Sequence, residues 1–485
     1  MRNNLEALLY QQFGYNSFRE GQKEAIESVM EDKDTLVILP TGSGKSICYQ
    51  LYPFIMSGTT IIVSPLLSLM QDQVNKLRAY GIKEVCALNS LVTRKEKQYI
   101  YKHLASYKYI FLSPEMLSMP NVVDQLKKIR VNLLVVDEAH CVTQWGMDFR
   151  PDYLDIAKFR EQVKTPPIMA LTATATKRVQ DEIKQLLHFK KQHQTIETTV
   201  DRPEIKLAFE KVSQADKDNR LLEIVKQIQK PGIIYFSSKQ KANEITDMLI
   251  EEGQLNAESY HADKESQDKI TIQNQFLENQ LQVICATSAF GMGVNKKDIK
   301  FVIHYHIPGS PEMYLQEIGR CSRNKEPGLA LTLYSPGDEN IQRFLKNESI
   351  PEPNTIQYVY HYYNQVKNTE DVQFKLIKYF YKNGYSVEET IQYFNDRKES
   401  VNNQISYLLS LIGTQQCKRS YLLNYFDETK NKPLSFCCSQ CQPNLITQFY
   451  TQENISNTQE KLQSFHKILK SLYNLDTTSC KSMLK

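Results

Sequence analysis

VNLLVVDEAHCVTQWGMDFRP, residues 131–151, is the stretch from which the rest of the chain can be read. Residues 133–136 form an apolar run with the β-branched bias of a strand buried on both faces in a parallel sheet. The run stops at two adjacent carboxylates, Asp137 and Glu138, followed by Ala139 and His140. Open α/β sheets hold ligands in the crevice at the carboxyl ends of their strands, and the acidic pair falls there. The second half carries the single Trp of the chain, Trp145, with Phe149 and Arg150 close behind. An acidic pair suited to a metal-bound phosphate thus runs into a loop suited to stacking on bases.

On either side of this stretch the pattern repeats. The runs TLVILP, TTIIVSP and YIFLSP precede it and PIMALTAT comes after, each ending in small or polar residues as strands of a βαβ array do. A polar, turn-rich stretch at residues 201–220 leads to a second array, GIIYFSS, QVICATSAF, IKFVIHYHIP and GLALTLYSP. The expectation is an α/β protein with two consecutive parallel-sheet domains and a cleft between them. Past Pro336 the β-runs cease. There FKLIKYFYKNGYSVEETIQYFNDRKESVNNQISYLLSLI reads as helix, Gly turn, Ser-capped helix and a longer helix. Ser386 with Glu389 three residues on fits a capping box. Such a segment either reads DNA as a helix-turn-helix or simply packs, and packing is the commoner use. Leu462, Phe465, Leu469 and Leu472 mark one apolar helical face in the tail.

The chain has 485 residues, enough for roughly two to four domains that each bury a core. A net charge of +4 permits a local basic groove without demanding one. The polar, amphipathic start, MRNNLEALLYQQFGYNSF, has the form of neither a secretory signal nor a membrane span, and no other stretch approaches a span in length. Six of the ten cysteines (Cys48, Cys86, Cys141, Cys285, Cys321 and Cys480) are scattered singly, the pattern of reduced cytosolic thiols rather than a disulfide framework. A cytoplasmic protein without a membrane partner is expected.

Thr41-Gly42-Ser43-Gly44-Lys45-Ser46 follows the first run and precedes a helix-patterned segment. Small residues let backbone N–H groups close around phosphate oxygens, and a helix N-terminus adds its dipole. Lys45 would reach the β- and γ-phosphates and Ser46 would hold Mg²⁺. The strict GxxxxGK[ST] pattern is not met, because Leu39 stands at its first Gly. Asp137 would bind the same ion, and Glu138 would orient and polarise the attacking water. Adjacent carboxylates also cap helices, but the phosphate loop upstream favours catalysis. In the second block, Gln316-x-x-Gly319-Arg320-x-x-Arg323 sets two arginines one helical turn apart. They either point across the cleft at a γ-phosphate or form a solvated face. Gly291-Met292-Gly293 implies close backbone approach to nucleotide or nucleic-acid phosphate. Cys417, Cys437, Cys438 and Cys441 suit a tetrahedral Zn²⁺ site, with free thiols as the alternative. Trp145 and Phe149 are stacking candidates, unless Trp145 belongs to the core.

In this order the motifs resemble those of superfamily-two helicases and, closer in, the RecQ family of DNA helicases, over residues 13–441. The resemblance implies two tandem RecA-like parallel-sheet motor domains, residues 1–203 and 204–337. After them would come a helical region with a four-cysteine zinc-binding module, 338–445, and a short helical tail, 446–485. FGYNSFREGQ resembles the family's adenine-reading segment, which implies that Tyr15 stacks on adenine while Arg19 and Gln22 contact the nucleotide. The phosphate loop (Thr41, Gly42, Ser43, Gly44, Lys45, Ser46) and Gly293 of ATSAFGMGVNKKDIKFVIHY would line the same site, with Arg320 and Arg323 of QEIGRCSRN as its arginines. AHCVTQWGMDFRPDY resembles the aromatic-rich loop that senses single-stranded DNA, here through Trp145, Phe149 and Arg150, and relays it to ATP hydrolysis. ALTATAT resembles the coupling motif, with Thr172 and Thr174 in its hydroxyl positions, and CKRSYLLNYFDETKNKPLSFCCSQC the zinc module.

The implied activity is an ATP- and Mg²⁺-dependent DNA helicase moving 3′ to 5′ in repair or recombination, with Zn²⁺ as a structural ion. A DNA-stimulated ATPase that mainly binds or anneals DNA, and an RNA helicase, are the alternatives. The implied partners are single-stranded and forked or duplex DNA and a single-stranded-DNA-binding protein. The chain is expected to act as a monomer, at the nucleoid if bacterial. Met147 stands where many relatives carry His; Cys321, Ser322 and Asn324 stand where they carry Ala, Gly and Asp. The segment past Cys441 is too short for the winged-helix and HRDC domains of many members, so residues 374–412 are expected to take over strand separation.

Overall fold

The computed structural model describes residues 5–65, 67–143, 151–291, 294, 296–366, 371–429 and 436–451. Trp145, Met147, Phe149, Arg150, Met292, Gly293 and the apolar face beginning at Leu462 lie outside the described residues.

The first sheet contains β1 (Asp34–Ile38), β2 (Thr59–Val63), β3 (Val85–Leu88), β4 (Tyr109–Leu112), β5 (Val131–Val136), β6 (Ile168–Thr172) and β7 (His193–Glu197). Their order is β3-β4-β2-β5-β6-β1-β7, and every neighbouring pair is parallel. In β1, β2, β4, β5 and β6 every residue is buried, because helices cover both faces and leave no polar side to the strand. Alternate residues feed two cores: Leu36, Leu134 and Val136 enter one, Val37, Leu133 and Val135 the other.

The second sheet is built from β8 (Ile205–Lys211), β9 (Gly232–Tyr235), β10 (Ala257–Tyr260), β11 (Val283–Ala286), β12 (Phe301–His304) and β13 (Gly328–Tyr334). It is again parallel, in the order β10-β11-β9-β12-β13-β8. The two-sheet architecture expected from the apolar runs is present. Four strands had no apolar run to announce them: β3, β7, β8 and β10. The segment 201–220, expected to be a polar connection, contains β8 and the start of the helix Lys217–Gln227.

Helices dominate after β13, as expected, with one difference. Ser386 and Glu389 do form a reciprocal capping box, but the helix they start runs unbroken from Val387 to Gly413. The preceding helix, Val372–Lys382, ends in a turn where Gly384 has φ 81. The cysteine segment shares the core of the second sheet. Leu408, Leu411, Leu422, Leu423, Phe426, Cys437 and Cys438 pack in one cluster with Ile233, Ile284 and Val302 of the second sheet. Backbone bonds from Leu207 N to Cys437 O (3.3 Å) and from Ser439 N to Leu207 O (2.8 Å) cover the edge of β8.

Candidate active site in the interdomain cleft

Strand order decides which residues meet. β6 lies between β5 and β1, so the end of β6 sits between the acidic pair after β5 and the phosphate loop after β1. In the phosphate loop Gly42 (φ 85) and Gly44 (φ 84) hold left-handed conformations that side-chain-bearing residues resist. Lys45 Nζ donates to Leu39 O within its own loop (3.1 Å). Arg19 and Gln22, expected at the nucleotide, also brace this loop. Arg19 donates to Gly42 O (2.6 Å), and the Gln22 amide to Ser43 O and Gly44 O, both 3.0 Å. Tyr15 is exposed, with its hydroxyl 3.4 Å from that of Tyr80. The helix after the loop is only Ile47–Gln50, so a helix dipole adds less here than the sequence implied. Ser46 Oγ accepts from Gln73 (3.4 Å), which in turn accepts from Gln50 (3.0 Å), a support that no local motif revealed.

Glu138 sits at φ 49, ψ 50, a left-handed conformation rare outside glycine and asparagine. Its backbone N–H donates to Asp137 Oδ1 (3.0 Å). Burial pushes the Asp137 carboxyl up to about 7, the Glu138 charge adds to this, and Lys45 opposes it. A divalent cation beside Ser46 and Asp137 would return that carboxyl to its ionised form, so the donor set fits one. Glu138 Oε2 lies 3.5 Å from His140 Nδ1, and that nitrogen is 3.0 Å from Thr172 Oγ1. Thr172 Oγ1 donates to Thr174 O (3.1 Å). The expected coupling threonines therefore reach the acidic pair through His140.

From the second sheet, the helix Pro311–Ile318 stops one residue before Gly319. Arg320 and Arg323 therefore project from a turn, not from one helical face, and Ser322 between them has φ 59. A Cβ on Gly291 would lie 2.1 Å from Arg320 Cζ, so the close approach implied by this glycine is made to an arginine. Arg323 donates to Val294 O (2.7 Å) and lies against the phosphate loop: a Cβ on Gly42 would be 3.3 Å from Arg323 Cγ. Burial and the charges of Arg320 and Arg202 lower the Arg323 guanidinium to about 10. Cations gathered against a phosphate loop are costly without an anion, which is the chemistry a triphosphate supplies. Among the described residues, Ser43 Oγ, Glu138 Oε2 and Arg320 Nε are buried with no hydrogen-bond partner.

The sulfurs of Cys417, Cys437, Cys438 and Cys441 lie within 4.8 Å of one another. Contacts of 3.5 Å (Cys417–Cys437), 3.5 Å (Cys438–Cys441) and 3.9 Å (Cys417–Cys438) bracket the roughly 3.8 Å edge of a zinc–thiolate tetrahedron. Hydrogen bonding from Cys437 holds the Cys438 thiol down at about 4, while burial and the Cys438 sulfur lift Cys441 to about 12. Four sulfurs at this spacing, with the Cys417 and Cys438 thiols both held below their ordinary range, fit a Zn²⁺ ion. Two arginines outside the sequence-based set, Arg202 and Arg419, also line the cleft region.

Residues 19–183 match the family model of the DEAD/DEAH box helicase, and residues 216–325 that of the helicase conserved C-terminal domain. The chain is 38% identical to the probable ATP-dependent DNA helicase RecS of Bacillus subtilis (strain 168), over 98% of each protein. It is 42% identical over 72% of its length to the ATP-dependent DNA helicase RecQ of the same organism, of which it spans 59%. Among solved structures, Mycobacterium smegmatis helicase Lhr bound to ssDNA and AMP-PNP has a TM-score of 0.55 at 20% identity. That match covers 73% of this chain and 50% of Lhr, and is a likeness of fold. Matched to RecS along nearly its whole length and to RecQ over 72% of it, the chain belongs to the RecQ family of DNA helicases.

Proposed function

We propose that this chain is an ATP-driven helicase that moves 3′ to 5′ on single-stranded DNA and separates the duplex ahead of it. The observation that carries this reading is the link from Glu138 through His140 to Thr172 and Thr174, with Arg323 lying on the phosphate loop opposite. Lys45 would leave its carbonyl partner for the β- and γ-phosphates. Glu138 would orient the attacking water, and Arg320 and Arg323 would stabilise charge on the transferred phosphoryl group. A divalent cation on Ser46 and Asp137 would supply charge neutralisation at the phosphate oxygens. Thr172 and Thr174 would pass the state of the site to DNA, which Trp145, Phe149 and Arg150 would sense. Binding through phosphates and stacked bases makes the activity salt-sensitive and sequence-tolerant.

The same reading gives the four-cysteine cluster a structural Zn²⁺ ion and puts the protein in repair or recombination in the cytoplasm, at the nucleoid if bacterial. It would work there as a monomer alongside a single-stranded-DNA-binding protein. Among the described residues no helix is long and apolar enough to cross a membrane. The test is unwinding of 3′-overhang, 5′-overhang, forked and junction DNA with ATP. Products from 3′-tailed and forked substrates are expected. ATP turnover with no separated strands would leave a DNA-stimulated ATPase, and stimulation by RNA alone would overturn the choice of DNA.

A further inference from the structure

Between β7 and β8 the chain passes from one sheet to the other, and the side chain of Arg202 stands in that passage. Its Nη1 donates to Thr41 O in the phosphate loop (3.2 Å), and its Nη2 to Ser322 O in the turn bearing Arg320 and Arg323 (3.0 Å). One planar guanidinium thus ties the two sides of the cleft together. The surfaces it joins already touch, since a Cβ on Gly319 would lie 3.3 Å from Thr41 Cβ. Glu204 Oε2 lies 3.5 Å from Arg202 Nε and balances its charge.

The passage is itself held from the cysteine-bearing segment. Arg419 donates through Nη1 to Asp201 Oδ1 (2.5 Å) and to Arg202 O (3.0 Å), and through Nη2 to Ile205 O. Glu428 accepts from Val200 N (2.8 Å) and Thr199 Oγ1 (2.6 Å). Arg419 lies in the helix Lys418–Asn424, whose N-cap is Cys417. The backbone on both sides of Arg202 is therefore fixed.

We infer that Arg202 is a positioning residue for ATP hydrolysis: it sets the arginine turn against the phosphate loop without itself touching the reacting phosphate. Two properties of arginine suit the role. Its fork has fixed geometry, so two carbonyls on separate domains are held at one spacing, and it stays charged through the cycle. A lysine would keep the charge and lose the fork. Misplacement by about 1 Å is enough to cost on the order of 10²-fold in rate, so a strut of this kind acts on turnover rather than on affinity.

The test uses the full chain with single-stranded DNA present, comparing wild type, R202K, R202Q, R323A and R202K/R323A. R202K and R202Q are expected to lose between about ten- and a hundredfold in kcat. Their affinity for a fluorescent ATP analogue should stay within about twofold, because ground-state binding is untouched. The double variant should be no slower than R323A, because Arg202 acts through that turn. R202K turnover near wild type, additive losses in the double variant, or a matching loss of nucleotide affinity would each overturn the assignment. Should R202Q melt early, R202K decides alone, and early melting of both would make Arg202 merely structural. The inference rests on the cleft being the ATP site. A wild-type chain unable to hydrolyse ATP would reject that reading, whereas normal turnover in R202K rejects only the strut.

Discussion

Glu138 occupies a backbone conformation that costs a side-chain-bearing residue about 1–2 kcal/mol, and the fold holds it there beside Asp137. A strained, half-buried carboxylate whose Oε2 is buried without a hydrogen-bond partner is suited to hold a water, and charge is what it needs for that. Glu138→Gln keeps the shape and removes the charge. It should lower single-turnover hydrolysis by about 10²-fold or more while leaving nucleotide titrations unchanged. Hydrolysis near the wild-type rate would remove the assignment. Ser322 carries the same kind of strain at φ 59, where the family resemblance expects Gly. Its hydroxyl donates one hydrogen bond, to the weak acceptor Cys321 Sγ (3.4 Å), so little is lost with it. Ser322→Gly should stabilise the protein by about 0.5–1 kcal/mol, and a scanning melt should show the midpoint rising by roughly 1–4 °C. A falling midpoint would mean that the buried side chain packs better than the relaxed backbone repays.

At the scale of elements, what the sequence revealed tracks burial. β1, β2, β4, β5 and β6 are covered on both faces, and each carries a short apolar run. β7, HQTIE, is an edge strand with one buried residue, and β8 is completed by residues 437–439, more than two hundred positions away. Neither leaves a local signature. The phosphate loop and acidic pair were legible because their chemistry sits in contiguous residues. The contact between His140 and Thr172 was not, since it depends on β6 inserting between β5 and β1. The spacing of Arg320 and Arg323 looked helical, but Gly319 ends the helix first. The His140–Thr172 contact makes its own prediction. Thr172→Ala removes both hydrogen bonds of the Thr172 hydroxyl, to His140 and to Thr174 O, from the middle of the relay, a loss on the order of tenfold in coupling. ATP hydrolysis should persist while base pairs opened per ATP consumed fall about tenfold, measured on one forked substrate. An equal loss of hydrolysis and unwinding would place Thr172 in the chemistry instead of the relay.

The molecule as a whole divides unevenly. The first sheet lies between two cores made almost wholly from its own 200 residues or so, as a free-standing domain requires. The second sheet borrows from the C-terminal region on both faces: Leu408, Leu411, Leu422 and Cys438 on one, Leu445 on the other. The segment after Cys437 crosses the β8 edge between them, so the four thiols pin the strip of chain that closes both cores. Zinc removal should therefore weaken the second sheet far more than the first. A structural zinc contributes roughly 10–16 kcal/mol of apparent binding energy, and even a third of that would lower a domain's melting midpoint by roughly 10 °C or more. Chelation, or Cys438→Ser, should strip amide protection from β8, β9, β12 and β13 and leave β1, β2, β5 and β6 protected in hydrogen exchange. Equal loss across both sheets would show that the two domains unfold as one unit. No loss in either would show that the four cysteines hold their geometry without a metal.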